Sequence, residues 1–187
     1  MSVAVDLDVI MSELATSSDT AYVTTRDLRI VRTNDGWTRF ALANGGEATL
    51  QRCQPGYRID DALPASLRDF YIAAFERAFA ARRPFEHDYE CSSADVLRRM
   101  RMIVYPIADS FLLFVHSVRF EEEHVRIPAE MPSSHAGLPT MCAHCRRVRG
   151  PNGSWLWVPA FVASPPPNVS HGLCEPCAEF YYPAMEG

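Results

Sequence analysis

The spacing of apolar residues divides the chain into a periodic front part and a proline- and cysteine-bearing remainder. Leu7, Ile10, Met11 and Leu14 fall at helical spacing, so residues 1–18 read as a short amphipathic helix whose apolar stripe needs a partner. Two β-branched runs follow, Ala21-Tyr22-Val23-Thr24-Thr25 and Leu28-Arg29-Ile30-Val31-Arg32-Thr33, joined by Arg26-Asp27 as a hairpin. Asn34-Asp35-Gly36 interrupts the strand pattern, and Trp37-Thr38-Arg39-Phe40-Ala41 reads as a short helix. Asn44-Gly45-Gly46 and Gln54-Pro55-Gly56 mark an irregular middle.

The strongest helical period runs through Leu67, Phe70, Tyr71, Ala74, Phe75, Ala78 and Phe79, with Ser66 as the N-cap candidate and Pro84 just past the end. Three strands follow. Phe85, His87, Tyr89 and Cys91 alternate with Glu86, Asp88 and Glu90, which gives a strand with one wet face. Residues 99–105 alternate less cleanly, and Phe111-Leu112-Leu113-Phe114-Val115 is apolar on both faces, as a central strand is. The order strand, strand, helices, strand, strand, strand predicts an α+β fold with a five-stranded antiparallel sheet and flanking helices over residues 19–120.

After Glu121-Glu122-Glu123 the composition shifts. Pro128, Pro132, Ser133, Ser134 and Pro139 make 121–140 an extended linker. The remaining 141–187 is too short to hold itself by core burial and calls for a metal or disulfides.

Charge narrows the function classes. The net charge is −5, and all 18 cations are Arg, so no lysine nucleophile or Schiff base is available. Residues 1–140 carry 15 Arg against 20 acids, and 141–187 three of each, which argues against a phosphate-tracking nucleic-acid binder despite Arg146, Arg147 and Arg149. Asp6 and Asp8 stand where a secretion signal needs cations, and no apolar run approaches the ~20 residues that span a bilayer, so the expected location is cytoplasmic. No Gly-rich phosphate loop, G-x-S-x-G elbow or H-E-x-x-H is present, and no enzyme activity is expected.

Four of the six cysteines form two C-x-x-C pairs, Cys142/Cys145 and Cys174/Cys177. In a reducing compartment that spacing points to metal, and four thiolates in a tetrahedron suit Zn2+ in a closed, structural, zinc-ribbon-like site. The 28 intervening residues exceed the commonest ribbon spacing, but a hairpin at Gly150-Pro151-Asn152-Gly153 would bring the pairs together. His144 and His171 lie beside the pairs and could replace or orient a ligand; a solvated His144 and a turn-fixing His171 are the plainer reading. Rubredoxin-like iron and a redox dithiol pair stay open, while Arg146 after Cys145 disfavours c-type haem attachment.

From Asp27-Leu28-Arg29-Ile30-Val31 through Asn34, Trp37 to Ala41, the long helix and the strands ending at Val118, the element order resembles the PAS family of sensor domains. Cys142-Ala143-His144-Cys145, Val148-Arg149, Gly153, Trp155, Ser170-His171-Gly172-Leu173-Cys174-Glu175-Pro176-Cys177 and Tyr182-Pro183 together resemble a cysteine tail that follows PAS or receiver domains in bacterial sensory proteins. The resemblance implies a stand-alone signal-transduction protein. It would bind a small ligand or partner in its PAS domain, form a homodimer through the N-terminal helix and report to a downstream signalling protein. His87, Tyr89, Cys91 and His116 would face the PAS interior as a polar cavity, unless they are ordinary packing. Haem would need His87, His116 or a Met such as Met100, since residues 64–81 contain no His; no flavin motif surrounds Cys53. Cys53 and Cys91 are also the candidates for a redox-sensing thiol.

Overall fold

The computed structural model of the chain describes residues 6–124, 126, 128–130 and 138–183. Its backbone forms two compact units, one of Met1–Leu63, Tyr71–Asp88 and Met100–Val118, the other of Pro64–Phe70, Tyr89–Arg99 and Arg119–Gly187.

The first unit is built on α1 (Leu7–Glu13), β1 (Thr20–Thr25), β2 (Ile30–Thr33), α2 (Asp35–Ala43), α3 (Glu47–Arg52), α4 (Ala65–Ala81), β3 (Phe85–Glu90), β4 (Val96–Ile107) and β5 (Phe111–Glu123), the last four continuing into the other unit. The sheet order is β2-β1-β5-β4-β3. β1 is antiparallel to both β2 and β5, and the short β3–β4 and β4–β5 connections permit only antiparallel pairing. This is the α+β arrangement of a five-stranded antiparallel sheet with flanking helices that the sequence predicts, with α2, α3 and α4 inserted between β2 and β3.

β5 is the central strand, and its alternation sorts the core into two faces. On one face Phe111, Leu113 and Val115, with Ala21 and Val23 of β1 and Tyr105 and Ile107 of β4, receive Leu7, Ile10, Met11 and Leu14. The stripe of α1 therefore finds a partner in its own sheet. On the other face Phe114 stacks on Tyr22 at 4.8 Å and meets the edge of Phe75 from α4 at 5.1 Å.

Asn34 ties four segments together. Its Oδ1 accepts from the amides of Ala21 and Trp37, both at 2.9 Å, and its Nδ2 donates to the carbonyls of Leu14 (3.0 Å) and Asp19 (2.9 Å). The residue that breaks the strand pattern is thus the N-cap of α2, which begins two residues earlier than the sequence suggests. Gly36 is required there, because a Cβ would collide with the Asp19 carbonyl.

Three further boundaries differ from the sequence reading. Glu47–Arg52 in the irregular middle is helical, capped only by Gly46 without a side-chain bond. Ser66 lies inside α4, whose first amide bonds go to the Pro64 carbonyl from Leu67 and Arg68. β4 and β5 are longer than the apolar runs within them.

The second unit carries β6 (Thr140–Cys142), β7 (Val148–Arg149), β8 (Trp155–Leu156), α5 (Pro159–Ala163), β9 (Ser170–Gly172) and α6 (Glu175–Tyr181). The sheet order is β8-β7-β6-β9, with β6 and β9 parallel. Met141, Val148 and Val158 form its small core with Leu156, Phe161 and Val169. Of the stretch read as a linker, residues 121–123 belong to β5 and His124 stacks on Trp157 at 4.0 Å. Ala129 donates to the Trp157 carbonyl at 2.7 Å, whereas Pro132, Ser133 and Ser134 lie outside the described residues.

Asn34→Ala removes four hydrogen bonds at a site that is 5% exposed. Urea unfolding should show a loss of about 3 kcal/mol, and a loss below about 1 kcal/mol would mean that these contacts do not hold the first unit together.

Candidate metal centre

Local backbone geometry shapes each C-x-x-C pair. β6 ends at Cys142, and the chain turns so that the Arg146 amide donates to the Cys142 carbonyl (3.1 Å) and the Cys142 amide to the Arg147 carbonyl (2.8 Å). Arg146 takes the left-handed conformation at φ 59°. In the second pair Cys174 caps α6, Pro176 stands in the first turn, and Ala178 donates to the Cys174 carbonyl at 2.8 Å.

The expected hairpin is present, with Gly150 bonded to the Ser154 carbonyl at 2.7 Å and β7 paired to β8. It is the parallel pairing of β6 with β9, however, that sets the two pairs side by side. Met141 lies opposite His171 and Cys142 opposite Gly172, and the Ala143 amide donates to the Gly172 carbonyl at 2.8 Å. Parallel contact between strands this short leaves no alternating pattern to read in the sequence.

The four sulfurs all lie within 4.8 Å of one another. Cys174 Sγ is 3.8 Å from Cys142 Sγ and 3.6 Å from Cys145 Sγ. Sulfurs placed ~2.3 Å from a central zinc in a tetrahedron stand about 3.8 Å apart, whereas a disulfide requires ~2.0 Å. All six cysteines are free thiols. Cys142, Cys145 and Cys174 are buried and Cys177 is 9% exposed, with Trp155 and Leu173 packed against them. The donor set fits a soft, tetrahedral divalent ion of the zinc type.

Protons alone satisfy this set poorly. Hydrogen bonds from Cys145 and Cys177, with backbone amides of Cys174 and Cys145, hold the Cys142 thiol far below its usual range. The same contacts, seen from the other side, push Cys145 up to about 12 and raise Cys177. A divalent cation removes the conflict, because it accepts all four as thiolates.

Neither neighbouring histidine joins the sulfurs. The His144 Nδ1 lies 2.5 Å from the Tyr181 hydroxyl, and burial lowers its pKa against the opposing charges of Glu90 and Cys142, so a neutral ring can accept that proton. His171 is exposed on β9.

Nothing in the local sequence marks the contact behind the first C-x-x-C turn. Arg126 forms a two-pronged ion pair with Glu90, at 2.8 and 2.7 Å, and also donates to the Cys145 carbonyl at 3.2 Å. Its guanidinium lies 5.0 Å from the Trp157 ring centre. Burial alone would raise the Glu90 carboxyl, but hydrogen bonds from Arg126 and Ser92 and the Arg126 charge outweigh it and hold the pKa low. Arg126 sits in a proline-rich stretch and Glu90 on the presumed wet face of β3, so neither charge looked exceptional.

The residues expected to line a PAS cavity separate into different surroundings. His87 is buried against the edge of Tyr71 and the face of Phe85. His116 stacks on Tyr22, its Nε2 3.3 Å from the Tyr22 hydroxyl, and burial pushes its pKa down to about 4. Tyr89 and Cys91 belong to the second unit and are half-buried. A cleft of about 130 Å3 in the first unit is lined by Leu28, Ile72, Phe75, Phe79 and Leu112 together with the charged Arg26, Asp27, Arg58 and Glu76. Cys53 is buried in the first unit, which raises its pKa against the adjacent Arg52.

No family model matches the chain, and no curated protein matches it. Among solved structures it is similar to the PAS domain of BvgS from Bordetella pertussis, with 18% identity over 62% of this chain and 88% of that one, at a TM-score of 0.48. The fold class rests on the strand order of the chain itself.

Arg126→Met keeps apolar contact with Trp157 but strands Glu90, whose side chain is 5% exposed. Unfolding at pH 7 should show a loss of about 3 kcal/mol, and adding Glu90→Gln should recover most of it. Because the folded-state pKa of Glu90 is lowered, the pair contributes fully above the ordinary carboxylate range and loses its effect as the pH falls through the lowered value. The deficit of Arg126→Met should therefore shrink in acid; a deficit independent of pH would contradict this account.

Proposed function

We propose that this chain is a sensory, signal-transduction protein. In this reading its PAS-like domain binds a small ligand or a protein partner, and its C-terminal module is a structural zinc site. The observation that carries the second half is the gathering of four mostly buried sulfurs within 4.8 Å. A closed four-thiolate site leaves no position for substrate, which supports a role in folding and recognition and not in catalysis. The PAS-like sheet supports the first half by fold alone, and a fold suggests a role without naming the stimulus. No described helix is long and apolar enough to cross a membrane. Six free thiols suit the reducing cytoplasm, where we place the protein.

Protein purified without chelator should contain one zinc per chain and show no visible absorption band. Cys174→Ser should weaken zinc retention on the order of 100-fold in a chelator competition, as one ligand of four is lost. Metal-free, folded parent protein would overturn the zinc reading, and a Soret band would replace it with haem sensing.

We also propose a homodimer through α1. Leu7, Ile10 and Leu14 are only half-covered by the sheet, and Val9 on the same helix is 52% exposed. Val9→Glu touches no core contact and should shift sedimentation from dimer to monomer at micromolar concentration. An unchanged dimer, or a parent that is already monomeric, would remove α1 as the interface.

A further inference from the structure

Beside the sulfur cluster the second unit has a cleft of about 230 Å3, lined by Met141, Phe161, Val162 and Pro165 and edged by Arg146 and His171. Apart from Arg146 and His171 its lining side chains are uncharged and mostly apolar, while polar atoms make up about half of its surface. Arg146 and His171 are both exposed, and among the described residues neither side chain has a hydrogen-bond or ion-pair partner. Arg146 also holds the left-handed conformation, at φ 59°, that glycine adopts without steric cost. The knuckle thus carries a guanidinium at a position where its own turn would be better served by no side chain at all.

We propose that this cleft binds a small monocarboxylate with an aromatic or branched apolar body. The carboxylate sits on the Arg146 fork with His171 as a second donor, and the body lies on Met141, Phe161 and Val162. Each element of the ligand follows from the lining. A planar guanidinium with free N–H groups matches a carboxylate in two-pronged geometry. The remaining walls offer no further charge, so the rest of the ligand is apolar. At about 30 Å3 for each water-sized group, the volume admits about eight non-hydrogen atoms, the size of a substituted benzene ring. Cys142 forms part of the wall, so the ligand rests against the outside of the sulfur cluster and does not reach its centre.

The site depends on the metal reading only for the shape of the knuckle. The test is a calorimetric titration of the zinc-loaded full chain with benzoate and phenylacetate, with benzamide as the uncharged match and zinc measured on the same samples. Benzoate should bind saturably and benzamide should not. Arg146→Gly should weaken benzoate by about tenfold or more while leaving zinc content unchanged, because glycine suits the turn. His171→Gln should weaken it to a lesser degree. Equal binding of benzamide, equal binding by Arg146→Gly, or no saturation up to about 20 mM would each overturn the proposal. A parent that lacks zinc yet binds benzoate would overturn the metal reading and leave the cleft standing. A zinc-loaded parent indifferent to benzoate would do the reverse.

Discussion

Four sulfur atoms gathered in one nearly dry site are the constraint on which the second unit depends. Four thiolates this close repel one another unless a cation lies among them, and the mutual hydrogen bonds that lower Cys142 raise Cys145. The surrounding structure is too slight to impose such a cluster by itself. The strands of the sheet β8-β7-β6-β9 are two or three residues long, and the apolar cluster beside it centres on Met141, Val148 and Val158. Isolated strands of that length are not stable in water. A metal contribution on the order of 10–16 kcal/mol equals or exceeds the net stability of a typical whole domain, about 5–15 kcal/mol. The parallel register of β6 with β9, the cap at Cys174 and the cover by Trp155 and Leu173 together form a geometry that could hold one ion.

The Arg126–Glu90 pair has a different kind of role. A buried ion pair recovers its desolvation only when its geometry is good, and often adds little over a well-packed apolar pair. Here the geometry is two-pronged, Ser92 satisfies one of the carboxylate oxygens further, and the guanidinium has a third acceptor in the Cys145 carbonyl. Few alternative positions of residue 126 would satisfy all of these at once. The pair acts chiefly as a locator: it fixes the chain after β5 against the end of β3 and the first knuckle, and makes departure from that arrangement costly.

Legibility from the sequence followed the range of the interaction. The long helix, the buried central strand and the N-terminal stripe were readable because each is set by periodicity within a few residues, as Leu67 to Phe79 and Phe111 to Val115 illustrate. The cysteine set was readable because a C-x-x-C turn is a local device with one common use. Asn34 was legible as the end of a strand but not as a tie between segments, since its bonds to Leu14, Asp19 and Ala21 join positions that no local window relates. Arg126 and Glu90 are 36 residues apart and belong to segments of ordinary polar composition, so only the folded chain identifies them as partners. The reading of His87, Tyr89, Cys91 and His116 as one inward face relied on strand alternation alone, which gives a face but not the neighbours on it.

What fills the first unit bears on how it could respond to a stimulus. Burial pushes His116 down to about 4 and raises Tyr22 beyond its usual range, with the charges of Cys53 and Tyr71 acting in the same direction on the tyrosine. Both groups are neutral between roughly pH 5 and 9, so neither works as a proton switch at physiological pH. Their contacts are those of packing: Tyr22 stacks on Phe114 and His116 and meets Trp37 at 5.2 Å, while Phe114 passes the contact on to Phe75. Such a chain of rings transmits displacement, because close-packed interiors shift between discrete arrangements and do not deform continuously. His116 and Tyr22 therefore belong to the packing of this unit, joined to Phe114, Phe75 and Trp37 through ring contacts.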